Sequence, residues 1–405
     1  MTVEAVEHDR VRSRALLWIL GLLPVVLLAA LLAVILRFDP AAALRGDVPP
    51  VEVLHFQRVV LGPDGIVATV LNDGPDPVTI AQVQVDEAYW PFTVEPEREL
   101  AHLESATLRI PYPWVWGEAH ELRVVTATGL TFDHTIEVAV ETPRPSGRYF
   151  VVFALIGTYV GVLPVALGLL WHPVLRRAGR RTLDFLLALT VGLLVFLFVD
   201  GAHEGLEAAV AAPASFQGVV LFVLAALTAY LAIDGLGAWL GGRGRSGSGW
   251  AIALLVAVGI GLHNFGEGLA IGAAYALGEA ALGALLIVGF ALHNTTEGLA
   301  IVAPLGGTRT GLGSLALLGA VAGIPTIAGA WIGGFVYSPI LAVVFLAVGA
   351  GAIAQVVVQI ARALGGGRKR EREAPPLASR LGSGPVLAGL LAGFAVMYLT
   401  GLLIG

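Results

Sequence analysis

Long apolar runs joined by short polar connections make up most of the chain, and one stretch near its start reads differently. Nine runs, at roughly 15–36, 149–171, 182–210, 216–240, 250–276, 281–304, 311–334, 338–363 and 384–404, each hold the apolar length that a bilayer-crossing helix requires, about 20 residues. They predict a polytopic α-helical membrane protein, with one anchor helix set apart from an eight-helix bundle over 149–405. Arg10, Arg12 and Arg14 precede the first run and Ala41–Ala43 follow it, as in a signal peptide. A signal's apolar core is only about 7–15 residues long, and Ala15–Leu36 exceeds it. Residues 1–37 are therefore expected to be a cytoplasmic tail and an uncleaved anchor. Either alternative sends the following insert out of the cytoplasm.

That insert, 45–147, alternates apolar and polar positions with the period of two that marks strands. Gly65–Leu71, Val78–Val85, Ala106–Ile110, Glu121–Ala127 and Thr135–Val140 are its clearest runs. Pro63-Asp64-Gly65, Asn72-Asp73-Gly74-Pro75 and Pro111-Tyr112-Pro113 punctuate them. Six to eight short strands in this length predict an all-β, immunoglobulin-like sandwich. Its histidines, His55, His102, His120 and His134, can either gather cations with the nearby acidic residues or sit scattered on a solubilising surface. Trp114-Val115-Trp116 and Tyr89-Trp90 fit a docking patch or ordinary sandwich packing.

Composition supports this division. Of 405 residues, 57% are hydrophobic and 13% charged, about half the charge of a soluble domain, and the mean hydropathy is +0.82. Residues 1–148 carry 11 basic and 20 acidic side chains, while 149–405 carry 13 basic and 10 acidic ones. An acidic insert on an apolar bundle excludes nucleic acid as a partner. With no cysteine, disulfides, iron–sulfur clusters and thiolate metal sites are excluded as well.

The basic residues also predict an orientation. Arg176, Arg177, Arg180 and Arg181 share one connection, Arg243 and Arg245 a second, and Arg309 a third. Arg362, Arg368, Lys369, Arg370, Arg372 and Arg380 lie in or beside a fourth. The alternate connections, near 211–215, 277–280 and 335–338, have neither Lys nor Arg. By the positive-inside rule, the basic face and the N-terminus are cytoplasmic, and the insert and the C-terminus are extracytoplasmic. The expected location is the cell membrane.

The candidate chemistry is inside the spans, where an Asp or Glu costs roughly 2.5–3.5 kcal/mol on insertion scales and usually lines a site or pathway. Asp200-Gly-Ala-His203-Glu204-Gly205-Leu206 reads D-x-x-x-E-G-L. His263-Asn264-Phe265-Gly266-Glu267-Gly268-Leu269 and His293-Asn294-Thr295-Thr296-Glu297-Gly298-Leu299 both read H-N-x-x-E-G-L. Positions i and i+4 stack one turn apart on one helix face. Two such helices face to face supply two imidazoles and two carboxylates, a donor set for a divalent transition cation. The expected metal residues are His263, Asn264, Glu267, His293, Asn294 and Glu297, joined by Asp200, His203 and Glu204, with Glu207 a turn further out as an entrance residue. A lone intramembrane polar residue, such as Asp234 or Gln355, is instead expected to bond one helix to another, and the motif glycines fit close helix packing.

At these motifs the chain resembles the Zrt/Irt-like (ZIP) divalent metal transporters, whose fourth and fifth helices carry H-N-x-P-E-G and related patterns. Here the two motifs fall in the fourth and fifth spans after the insert. The resemblance covers about 149–405 and leaves 1–148 as an added anchor and domain. It implies transport of Zn²⁺, or Fe²⁺ or Mn²⁺, into the cytoplasm through the His/Glu/Asn site, by helices moving against a scaffold, with no prosthetic group and no catalysis. It also leaves room for a homodimer, and nothing identifies a partner for the β-domain. The sequence departs from the family in three ways. Gly266 and Thr296 replace the motif prolines, Ala322-Gly323-Ile324-Pro325-Thr326-Ile327 lacks the sixth-helix Glu of a second metal site, and loop 241–249 has no histidine. An intramembrane metal-dependent hydrolase and a non-conducting metal sensor or adaptor are the alternatives. The absence of H-E-x-x-H weighs against the first.

Overall fold

The computed structural model describes residues 22–31, 33, 34, 37, 50–240, 249–276, 280–336, 338–365 and 384–402. Met1–Val51 and Glu52–Gly405 are separate compact units. In the first, α1 (Leu22–Leu31) is a short apolar helix whose described side chains are exposed. The expected tail and the start of the expected anchor, together 1–21, and the arginine-bearing connections 241–248 and 366–383 lie outside the described residues, as does 277–279.

Nine strands form the start of the second unit: β1 (Leu54–Gly62), β2 (Gly65–Asn72), β3 (Val78–Val85), β4 (Ala88–Tyr89), β5 (Thr93–Glu95), β6 (Glu99–Leu100), β7 (Ser105–Ile110), β8 (His120–Thr126) and β9 (Thr131–Ile136). One sheet runs β1-β2-β7-β5, the other β4-β3-β8-β9 with β6 also on β3, and the pairs are antiparallel. Alternate residues from both sheets, among them Ile66, Ala68, Val70, Ile80, Val83, Leu108, Leu122 and Val124, close one core in a β-sandwich-like domain. The last strand lies earlier than the Thr135–Val140 pattern predicts. The β8–β9 turn closes within Ala127–Leu130, with Gly129 at φ +92°, so Thr131 already pairs with Val125. Trp90 and Trp114 pack against the core, while Tyr89 and Trp116 are exposed. The packing role weighed for this aromatic stretch is thus seen for Trp90 and Trp114.

Ser146 caps the first bundle helix, accepting a hydrogen bond from the Tyr149 N–H. The helices are α2 (Gly147–Gly157), continued by a π-turn (Thr158–Val162) into α3 (Leu163–Leu169), then α4 (His172–Leu175), α5 (Arg180–Ala211), α6 (Gly218–Leu240), α7 (Gly249–Ala276), α8 (Ala280–Val302), α9 (Leu312–Val336), α10 (Pro339–Gly365) and α11 (Gly384–Leu402). Among the described residues, seven helical segments are long and apolar enough to cross a membrane. The described parts of α1 and α11 are apolar but shorter.

Small residues sort these helices into two blocks. A Cβ on Gly268 or Gly272 of α7 would strike the α9 backbone at Thr326 or Ala330, and one on Gly329 or Gly333 of α9 would strike α7. Gly168 of α3 and Gly298 of α8 meet in the same way. Gly161 and Gly157 bring the π-turn and α2 onto α9. Thus α2, α3, α7, α8 and α9 form one block. In the other, Gly192 of α5 meets Gly393 of α11, and Gly351 of α10 meets the Ala226 carbonyl of α6. Between the blocks, α10 and α5 face α7. Leu193, Leu194, Leu197, Leu255, Val256, Ile260, Ile353, Val356 and Ile360 fill that seam with a continuous buried cluster.

Candidate metal centre

The two H-N-x-x-E-G-L motifs lie mid-helix on α7 and α8, which belong to the same block. His263, Glu267, His293 and Glu297 each offer one ligand atom, and the four atoms lie within 4.8 Å of one another. Glu267 is the hub. Its Oε1 is 3.3 Å from His263 Nε2 on the same helix and also contacts His293 Nε2 from α8. Its Oε2 accepts a 2.8 Å hydrogen bond from Asn294 Nδ2. The i, i+4 spacing produces the first of these contacts, and the α7–α8 packing produces the other two.

Glu297 is different. It is 3% exposed, and neither of its oxygens has a hydrogen-bond partner. Buried polar atoms are nearly always paired, so a bare carboxyl group beside two imidazoles fits a site completed by a cation. The side-chain oxygens of Asn264 and Asn294 are likewise buried without partners. Their amide nitrogens are engaged, Asn264 donating to the Ala322 carbonyl (3.2 Å) and Asn294 to that of Val160 (3.1 Å) as well as to Glu267.

Two prolines outside the motifs contribute to this arrangement. Pro164 has no N–H to return to the Val160 carbonyl four residues back, and Asn294 takes that carbonyl. Pro325 interrupts the α9 ladder at Val321, next to the Ala322 carbonyl that Asn264 uses. Helices α7 and α8 run unbroken through Gly266 and Thr296, so the prolines that remove a ladder hydrogen bond are in the partner helices rather than in the motifs. The signal for them was visible in the sequence, as a proline within each apolar run facing a motif Asn.

A cavity of about 10 Å³ adjoins the hub, enough for about one water-sized sphere. Its walls include Glu267, His263 and His293 on one side, Asp200 and Glu204 of α5 on another, and Phe345 of α10. Asp200 and Glu204 thus reach the site from the other block. His203 does not, and the expectation that it joins them is corrected: its side chain is 72% exposed and 3.6 Å from equally exposed Glu207. At about 100° per residue, position 203 points away from Gly201 and Gly205, which α5 turns toward the bundle. Glu207, the expected entrance residue, lies on the exposed side with His203.

The remaining polar residues in the spans behave as structural groups. Gln355 donates to Asp234 (3.1 Å) between α10 and α6, and Arg362 lies 3.7 Å from the same carboxylate. Among the described residues, no other cluster of three or more His, Asp or Glu has metal-binding spacing. The insert histidines are dispersed: His120 pairs with Asp86, His102 with the Gly74 carbonyl, and His134 lies against the Phe56 ring. Compared with known proteins, the chain matches no family model and no curated sequence. The case for function therefore rests on the geometry.

Proposed function

We propose that this protein is a ZIP-like transporter that carries a divalent transition-metal cation, zinc in the first instance and iron or manganese as alternatives, across the cell membrane into the cytoplasm. The observation that carries the reading is the convergence of two imidazoles and two carboxyl groups in a buried cluster with Glu297 unpartnered. Two nitrogens and two oxygens suit a cation of borderline softness, while Mg²⁺ prefers an all-oxygen octahedron. His263, Glu267, His293 and Glu297 hold the cargo, with the oxygens of Asn264 and Asn294 in reserve, and Asp200 and Glu204 line its approach.

In this reading α1 is an anchor and α2–α3 through α11 make the eight membrane crossings. The N-terminus is cytoplasmic, and the β-domain and the C-terminus are outside. The β-domain's contacts support the orientation. It touches the bundle at Ala214 and Ser215 and at Phe335, at or beside two of the connections that carry no basic residue. The two helix blocks support a mechanism in which the site-bearing block shifts against the other. The buried seam closes the way past the cavity, and its opening on the cytoplasmic side would release the ion.

Proteoliposomes loaded with a metal-sensitive dye test the reading when Zn²⁺, Fe²⁺ or Mn²⁺ is added outside. Uptake is expected for at least one metal and is expected to vanish in His263→Ala and Glu297→Ala. Binding without flux would point to the sensor reading, and folded protein with neither binding nor flux would refute the metal site itself.

A further inference from the structure

The β-domain is joined to the two helix blocks in unequal ways. To the site-bearing block it is fused directly, since its last segment runs through the Ser146 cap into α2. Arg58 adds a hydrogen bond to the Phe335 carbonyl at the end of α9 (3.2 Å). Within that block, Trp331 of α9 donates to the Phe150 carbonyl of α2 (2.9 Å), and the Phe150 ring lies against Trp331 and Phe335. These contacts fasten the base of the β-domain to α2 and α9.

To the other block, the hydrogen bonds seen among the described residues run through Asp73. The Asp73 carboxylate accepts from the Ala214 N–H (2.6 Å) and the Ser215 N–H (3.0 Å), and Ser215 Oγ donates to the Asp73 carbonyl (3.1 Å). Ala214–Phe216 is a single 3₁₀ turn joining α5 to α6, and Pro213 before it provides no side-chain cap. Asp73 therefore caps, from another domain, the turn at the end of the helix that carries Asp200 and Glu204.

The loop presenting Asp73 is held rigid. Asn72 is fully buried, donates to the Asp76 and Leu100 carbonyls (2.8 and 2.9 Å) and accepts from the Gly74 N–H (2.9 Å). The Asp73 and Gly74 N–H groups both donate to the Val53 carbonyl. A preorganised loop loses little entropy on docking, and charge-assisted hydrogen bonds are stronger than neutral ones.

From this asymmetry we infer that the β-domain is a latch: it rides with the site-bearing block, and its Asp73 holds the α5–α6 turn of the other block until transport pulls the two apart. The inference rests on the transport reading, because only relative motion of the blocks would stretch the Asp73 contact. An outer domain built this way would bias the transporter toward the arrangement described here and set how readily it leaves it.

The cysteine-free sequence allows a clean test in the full-length chain. Asp73→Cys with Ser215→Cys, joined by oxidation or a short thiol cross-linker, spans the two blocks. Phe150→Cys with Trp331→Cys joins two helices of one block. Zn²⁺ uptake into proteoliposomes is expected to fall at least about tenfold when the first pair is closed, as for an immobilised gate, and to return on cleavage. Closing the second pair is expected to leave uptake unchanged. Undiminished flux through the closed first pair would overturn the latch and leave the transport reading standing, and so would equal loss from both pairs. No flux in the cysteine-free parent would refute the transport reading, and the latch with it. As a readout independent of flux, amide exchange over 214–217 is expected to quicken roughly tenfold or more in Asp73→Ala. Unchanged exchange there would show that Asp73 holds nothing.

Discussion

Replacing Glu297 with methionine should stabilise the metal-free protein while destroying its site. Glu297 is 3% exposed and both of its oxygens are unpartnered. A buried polar group without a hydrogen bond costs roughly 1–3 kcal/mol, and a charged one more. Methionine fills a similar volume with no oxygen to desolvate, so Glu297→Met is expected to gain about 1–3 kcal/mol in a chelating buffer. For a bundle of this size that is on the order of 2–10 °C in unfolding midpoint. At a metal concentration near one hundred times Kd, the parent gains about 2.7 kcal/mol from mass action, whereas the variant, lacking a ligand, gains little. The ranking should therefore narrow or invert when metal is added. Tryptophan-fluorescence melting of the detergent-solubilised full chain, with chelator and with Zn²⁺, measures both effects, and Glu297→Gln, which keeps a polar group in place, should not show the gain. A Glu297→Met variant that melts below the parent in chelator would refute the reasoning, since the carboxyl would then have to be held by a partner of its own.

Further outcomes are expected. His263→Ala or His293→Ala should weaken Zn²⁺ binding by at least about 10–100-fold, the loss seen even for outer-shell partners. His203→Ala, which faces away from the site, should leave the calorimetric Kd unchanged. Gly268→Val drives a side chain into the Thr326 carbonyl of α9 and should cost about 1–3 kcal/mol or more, seen as a lowered melting midpoint in chelator and in metal alike. In the β-domain, the Asp86 hydrogen bond, with burial adding to it, pushes the Tyr112 hydroxyl up to about 12. This contribution to stability is fully present below the unfolded tyrosine value, near 10, and is lost as pH rises through about 12. Burial pulls Asp86 upward, but donors from Tyr112, Glu121 and His120 outweigh it and hold the carboxyl below its ordinary range. Its contribution is therefore present above about pH 4 and fades as the solution is made more acidic. Alkaline absorbance titration should show one tyrosine moving back toward 10 in Asp86→Ala, and no movement would refute the assignment.

The apolar runs and the alternating insert carried most of the architecture, because bilayer length and strand period are written residue by residue. The four-residue core of the site was legible for the same reason: i, i+4 spacing on two helices leaves little choice of face. His203 was misplaced because a motif read as letters does not say which side of α5 faces the bundle. That depends on the small residues Gly201 and Gly205 and on the packing of α10. The roles of Asn264 and Asn294 needed the third dimension too, since their amides bind carbonyls near helix prolines more than a hundred residues away in one case and 58 in the other. The Asp73 contact, 141 residues from its partner in sequence, had no local signature beyond a turn-forming Asn-Asp-Gly-Pro.

The Glu267 hub has a bearing on how the ion lets go. One carboxylate contacts both imidazoles and an asparagine, so a cation held by these groups would compete with bonds the protein makes to itself. Each bond that must break first lowers the apparent affinity by the fraction of time the ligands are free. The same bonds re-form as the ion departs, so the emptied site is not left as a set of bare donors. Under the transport reading the protein would thus contain its own competitor for the cargo, a balance that would favour turnover over capture.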